Sequence, residues 1–223
     1  MQIYGETAIL VFSRSVSEEI SFKSLLSGKS KNFKLLSHLN KRMIKTVKAS
    51  GLPVIHSTEE NQHGSSFGEK LANAIGGIFS KGFKSIIIVG NDCADLSCGD
   101  LLNARDLLRT NDLILGPDFR GGTYLIGLNK ESFNKNLFEC LDWQSCGLQY
   151  SFKNYASGLK IRMQWLRQKA DLNDATDLQE YWNLSHGLRA LIHSIFSILR
   201  SLQDQIVWSS TSLYVAFIHR RGP

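Results

Sequence analysis

Short apolar runs alternate along this chain with longer stretches whose apolar residues recur every three or four positions. Thr7–Phe12 (TAILVF) predicts a buried strand. A polar, lysine-bearing stretch follows to Asn32. Phe33–Ala49 then places Leu35, Leu36, Leu39, Met43, Ile44 and Val47 on one helical stripe, with Gly51 as a fitting stop. Leu52–His56 predicts a second strand, Ser57–Ser66 a polar loop and Phe67–Ser80 a second helix. Lys84–Val89 (KSIIIV) is the clearest buried strand of all. Farther on, Asp100–Arg109 is expected to be helical, Asp112–Leu115 and Tyr124–Leu128 extended, and Glu131–Leu141 and Gly147–Tyr155 helical. Lys160–Leu166 alternates like a strand, and a helix begins near Ala175 and runs toward Trp182. Strands alternating with helices imply βαβ units and a mostly parallel sheet. Ligands of such sheets bind outside the C-terminal strand ends, which singles out Ser13-Arg14, Asn91-Asp92 and Asp118–Arg120.

The pattern changes after Trp182. Leu188, Leu191, Ile192, Ile195, Leu199 and Leu202 share one stripe, as in an amphipathic helix. We therefore divide the chain into a domain at 1–184 and a helical appendage at 185–223. The appendage is expected to pack on the domain or to form a homodimer contact, with a membrane-surface role as the lesser alternative. Val207–Phe217 reads as a further strand.

Composition adds limits. The 223 residues are 43% hydrophobic and 21% charged, enough apolar material for a core. No run approaches the roughly 20 apolar residues of a membrane span, and MQIYGETAILVF lacks the basic start of a secretory signal. The expected location is cytoplasmic. The net charge of +6 is uneven: residues 1–50 carry +6, residues 51–184 carry −3 and residues 185–223 carry +3. A basic face can meet nucleic acid, an anionic membrane or a phosphorylated small molecule, or simply be solvated. The aromatic interleaving that single strands require is absent, so no nucleic-acid partner is expected. Cys93, Cys98, Cys140 and Cys146 lack the C-x2-C spacing of a zinc ribbon, so free, buried thiols are expected.

Four segments carry candidate chemistry. GNDCADL, Gly90–Leu96, sets Asp92 and Asp95 beyond the end of a strand, where a hard divalent cation finds oxygen ligands; turn and cap roles are equally compatible. GPDFRGGTYLIGL, Gly116–Leu128, pairs Gly121 and Gly122 beside Arg120, suited to close approach of a ligand or to a plain hairpin. DLNDATD, Asp171–Asp177, offers Asp171 to a metal and Asp174 as a cap. QHGSSFGEK, containing Gln62 and Gly68, enters a helix where anions or base edges can meet backbone N–H groups. P-loop, G-x-G-x-x-G and G-x-S-x-G patterns do not occur.

Taken in order, FKSLL at Phe22–Leu26, QHGSSFGEKL, GNDCADL, GPDFRGGTYLIGL, Trp143 and DLNDATDL resemble one bacterial family over roughly residues 5–182. This is the GT-A-like transferase family of unknown function of the selenodomain-associated transferase 1 type, in the nucleotide-diphospho-sugar transferase superfamily. The resemblance implies a GT-A-like α/β/α sandwich that binds a nucleotide or nucleotide-sugar donor with Mg²⁺ or Mn²⁺ and acts on an unassigned acceptor. It implies Asp92 and Asp171 at the metal and Lys23 on phosphate. Gly121 and Gly122 would line the pocket, with Arg14, Gln62 and Gly68 also at the donor. Asp92 and Arg120 are the candidate catalytic residues. The sequence also departs from the family pattern: Leu25 replaces an arginine, Ser66 an aspartate, Ala94 a proline, Arg120 an aspartate and Asn173 an aspartate. Two activities stay open, glycosyl or nucleotidyl transfer. A binding protein without turnover and an interaction module are the alternatives to both.

Overall fold

The structure, a computed structural model, describes residues 6–184. The chain divides into two units, Met1–Leu184 and Ser185–Pro223. The amphipathic helix, the late strand and any dimer contact expected after residue 184 lie outside the described residues.

Six strands form one sheet: β1 (Thr7–Phe12), β2 (Val54–Ser57), β3 (Ser85–Val89), β4 (Leu113–Pro117), β5 (Thr123–Asn129) and β6 (Met163–Trp165), in the order β2-β1-β3-β5-β4-β6. β1 pairs in parallel with β2 and β3, and β4 in parallel with β6. β5 alone runs antiparallel, wedged between β3 and β4. The helices are α1 (Val16–Phe22), α2 (Lys29–Ala49), α3 (Phe67–Phe79), α4 (Cys98–Leu107), α5 (Lys135–Glu139), α6 (Leu148–Leu159) and α7 (Ala175–Leu184).

Alternation along the strands builds two cores. Leu10, Phe12, Ile86, Ile88, Leu113 and Ile126 face one way, packing with Leu71, Ile75, Phe138 and Phe152 from α3, α5 and α6. Ile9, Val11, Ile87, Val89, Ile114 and Leu125 face the other way, packing with Met43, Val47, Leu101 and Ala104 from α2 and α4. Helices thus cover both faces of a mostly parallel sheet, which is why its central strands are apolar throughout.

Several boundaries differ from the expectation. α2 begins at Lys29, four residues before the expected start. The polar stretch ahead of it contains α1, whose Ser15 cap accepts from the Glu18 N–H; this seven-residue helix buries Glu19, so it has almost no apolar stripe to recognise. The helix expected over Glu131–Leu141 is a 3-10 turn at Lys130–Ser132 followed by the short α5. All four cysteines are free as expected, but Cys140 and Cys146 are exposed rather than buried. Among the described residues no helix is long and apolar enough to cross a membrane.

Candidate functional site

The C-terminal ends of β1 and β3 open into a cleft of about 820 Å³. Its walls come from the loops after β1, β2, β3 and β4, from the α1–α2 connection and from the segment before α7. They bring Arg14, Lys23, Gln62, Asp92, Arg120, Gly122 and Asp171 to one cavity.

Lys23 reaches the cleft because its loop is bolted down from behind. The buried Asn32 donates to the Lys23 carbonyl (2.6 Å) and accepts from the N–H groups of Leu25 (2.9 Å) and Leu26 (3.3 Å). The ammonium, almost fully buried, pairs with the Asp92 carboxylate and lies 3.9 Å from Glu19. Asp92 extends from the loop after β3, and its carbonyl accepts from the Leu172 N–H (3.1 Å), which docks the Asp171 segment against it.

Carboxylates outnumber cations at the cleft floor. Loss of solvent, then the charges of Asp92 and Asp118, push the Asp171 carboxyl well above its ordinary range, with Lys23 opposing. Burial, then Asp92, raises Glu19, with Lys23 and Arg14 opposing. Such uncompensated acidity draws a cation. Among the described residues no three His, Cys, Asp or Glu side chains are grouped closely enough to cage a metal. Asp92 and Asp171 are oxygen donors of the kind that Mg²⁺ uses together with substrate phosphates.

The β4–β5 loop is held by Asp118, not by Arg120. The buried Asp118 accepts at Oδ1 from the N–H groups of Arg120 (2.8 Å) and Gly122 (2.7 Å), while its carbonyl accepts from Gln149 (3.0 Å) and Gln168 (2.8 Å). Both glycines are required sterically. Gly121 has φ +91°, and a Cβ there would stand 2.2 Å from the Cys146 carbonyl oxygen. A Cβ on Gly122 would stand 2.5 Å from Asp118 Oδ2. Arg120 extends its guanidinium to Asp174 (2.9 Å) and Asp177 (2.8 Å). Asp174 in turn caps α7 by accepting from the N–H groups of Thr176 and Asp177.

The other candidates are spread around this floor. Arg14 stacks over the exposed Phe22 ring, 4.2 Å from its centroid. Gln62 donates to the carbonyls of Ser13 (3.3 Å) and Ser57 (3.0 Å), tying the ends of β1 and β2 together. Gly68 lets α3 approach the Glu139 carbonyl and the Trp143 ring; a Cβ would stand 2.4 Å from that carbonyl. Trp143 packs on Phe67, with centroids 5.4 Å apart, and both line the cleft. Asn32, Glu19, Gln149 and Gln168 were not among the sequence-derived site residues, and Asp118 was singled out only as part of the segment after a strand. A buried Asn on the apolar face of a helix was the one signal available for Asn32.

Residues 38–145 match the family described as "Uncharacterized protein conserved in bacteria (DUF2064)". No curated protein matches the chain. The inferred nucleotide-diphospho-sugar transferase of Desulfovibrio desulfuricans G20 superimposes with a TM-score of 0.74 at 20% identity, covering 88% of this chain and 98% of that one. A protein of Mycobacterium tuberculosis H37Rv gives 0.48 at 9% identity, over 80% and 98% of the two chains. A hypothetical transferase from Thermus thermophilus gives 0.48 at 13%, over 77% and 98%. Matched segment and architecture agree with the resemblance read from the sequence: the chain has the mostly parallel α/β fold of that Desulfovibrio desulfuricans protein, and its residues 38–145 match the model of that uncharacterized bacterial family.

Proposed function

We propose that the cleft binds a nucleotide-activated donor, a nucleotide or nucleotide sugar, and supports glycosyl or nucleotidyl transfer from it. The observation that carries this reading is the meeting of Lys23, Asp92 and Asp171 at the C-terminal ends of β1 and β3, where open α/β sheets place their ligands. Asp92 and Asp171 would hold the divalent ion, which supplies charge neutralisation at a departing phosphate. The Lys23 ammonium is positioned to add a second positive charge to that phosphate. Phe67 and Trp143 offer the cleft an aromatic wall, and Arg14 a cation at its rim.

A second reading, ligand binding without turnover, has its own support. Arg120 stands where the family has an aspartate, and it is committed to Asp174 and Asp177. A guanidinium cannot act as a base at neutral pH.

Thermal shift across a panel of nucleotides and nucleotide sugars, with and without Mn²⁺, tests the binding step. A ligand at about 100 times its Kd stabilises by roughly 2.7 kcal/mol. A metal-dependent rise for one base, abolished in Asp92→Ala, is the expected result. Unchanged affinity in Asp92→Ala refutes the site, and a flat panel refutes donor binding. Release of nucleoside diphosphate or pyrophosphate from the ligand so found distinguishes transfer from binding alone.

A further inference from the structure

The strongest feature outside the cleft is the outer face of α2. This 21-residue helix contains no acidic residue in KSKNFKLLSHLNKRMIKTVKA. At 100° per residue, Lys31, Lys34, Lys41, Arg42, Lys45 and Lys48 fall within an arc of about 120°, opposite the buried Leu35, Leu39, Met43 and Val47. At 1.5 Å per residue the row is roughly 26 Å long. His38 lies in the middle of the arc, and burial followed by the charges of Arg42 and Lys41 holds its imidazole below the ordinary range.

Some other cations of the domain have carboxylate partners, Lys84 with Glu6, Arg105 with Asp106, Arg162 with Asp112 and Lys169 with Asp100, while Lys81, Lys130, Lys153 and Lys160 form no ion pair among the described residues but are scattered. Among the described residues the six cations of the α2 row form no ion pair. A solvated helix normally intersperses both signs, because like charges three or four residues apart weaken a helix. Here Lys41, Lys45 and Lys48 repeat one sign at those spacings. Lys31 near the start also opposes the helix dipole, and Lys48 in the last turn only partly offsets these repulsions. The row therefore works against the helix that carries it, and a polyanionic partner would reverse that penalty.

We propose that this face of α2 docks the protein on an anionic phospholipid surface. A straight single-sign row complements a plane of headgroups, each cation near such a surface contributing about fivefold in affinity. Base readout is poorly served: five of the six are lysines without the arginine fork, and the arc carries no Asn or Gln and, beyond the half-buried His38, no aromatic ring to stack on bases. Asn32 in the first turns of α2 clamps the Lys23 loop, so a docked α2 would hold one wall of the cleft at a fixed attitude to the surface.

The test is co-sedimentation of the full chain with phosphatidylcholine vesicles containing about 30% phosphatidylserine, beside pure phosphatidylcholine vesicles and a duplex DNA of random sequence. The stripe variant is K34Q/K41Q/K45Q/K48Q. A control, K81Q/K130Q/K153Q/K160Q, removes the same charge from exposed positions elsewhere. The expected result is binding to anionic vesicles only, weakened at least 100-fold in the stripe variant, retained in the control and suppressed by high salt. Helix content measured by circular dichroism verifies that both variants fold. Absence of vesicle binding, equal losses in the two variants, or tighter binding to DNA than to vesicles at the same salt each overturns the proposal. Nucleotide binding by the cleft is expected unchanged in the stripe variant, so this proposal and the reading of the cleft fail separately.

Discussion

Substituting Gly122 by alanine gives the sharpest probe of the β4–β5 loop. The new Cβ would stand 2.5 Å from Asp118 Oδ2, well inside van der Waals contact. Asp118 is buried and cannot swing into solvent, and its other oxygen is held by two backbone N–H groups. To yield, the carboxylate must give up those bonds, each worth about 1.5–3 kcal/mol for a charged acceptor. Gly122→Ala should therefore cost roughly 3–6 kcal/mol. In an Asp118→Ala background the obstructing oxygen is gone, and the same substitution should cost at least about 2 kcal/mol less. Gly121→Ala is the control. Its penalty comes from φ +91° and from the Cys146 carbonyl, so it should persist whether or not Asp118 is present. Denaturant unfolding of the unmodified protein, the three loop variants and the two Gly121→Ala controls measures each of these costs. If Gly122→Ala costs the same with and without Asp118, the carboxylate does not organise this loop and the reasoning is wrong.

Arg120→Ala should destabilise by about 1–2 kcal/mol, because Asp177 is buried although Arg120 itself is half exposed. Arg120→Asp should be worse than alanine, since it sets a third carboxylate against Asp174 and Asp177; equal stability of the two variants would refute the pairing. Glu19 has a folded-state pKa above its ordinary 4.5, so the fold favours its protonated form. Stability from this group is greatest below about pH 4.5 and falls as pH rises through the folded pKa. Glu19→Gln should flatten that fall in a plot of unfolding free energy against pH, and an unchanged slope would contradict it. Asn32→Ala should free the Lys23 loop and cost about 2–4 kcal/mol through its lost bonds to three backbone groups, with nucleotide binding falling in parallel. Retained binding would show that the clamp does not position Lys23. Thiol reagents should modify Cys140 and Cys146 ahead of Cys93, whose thiol is pushed up by burial. Mass mapping of the first labelled positions decides this.

The sequence by itself determined the layers. Period-2 and wholly apolar runs marked the strands, and 3.6-residue stripes marked α2 and α3, because side-chain direction repeats locally with backbone geometry. It also singled out Asp92, since polar residues just after apolar strands are set at the ligand edge of an α/β sheet, whereas Lys23 was suggested only by the family resemblance. Only the tertiary structure decided that β5 runs antiparallel between β3 and β4, because strand pairing depends on partners distant in the chain. It alone showed that Gln62 and Gly68 serve strand and helix contacts. The same holds for Asp118, which orders the glycine loop, and for Arg120, which turns to the cap of α7. α1 was illegible for a related reason: its buried side chain is a glutamate, and what eases that burial is Lys23 of the next loop and, more weakly, Arg14. Hydrophobic periodicity reports which way a residue faces, but the identity of what it faces is a property of the folded chain.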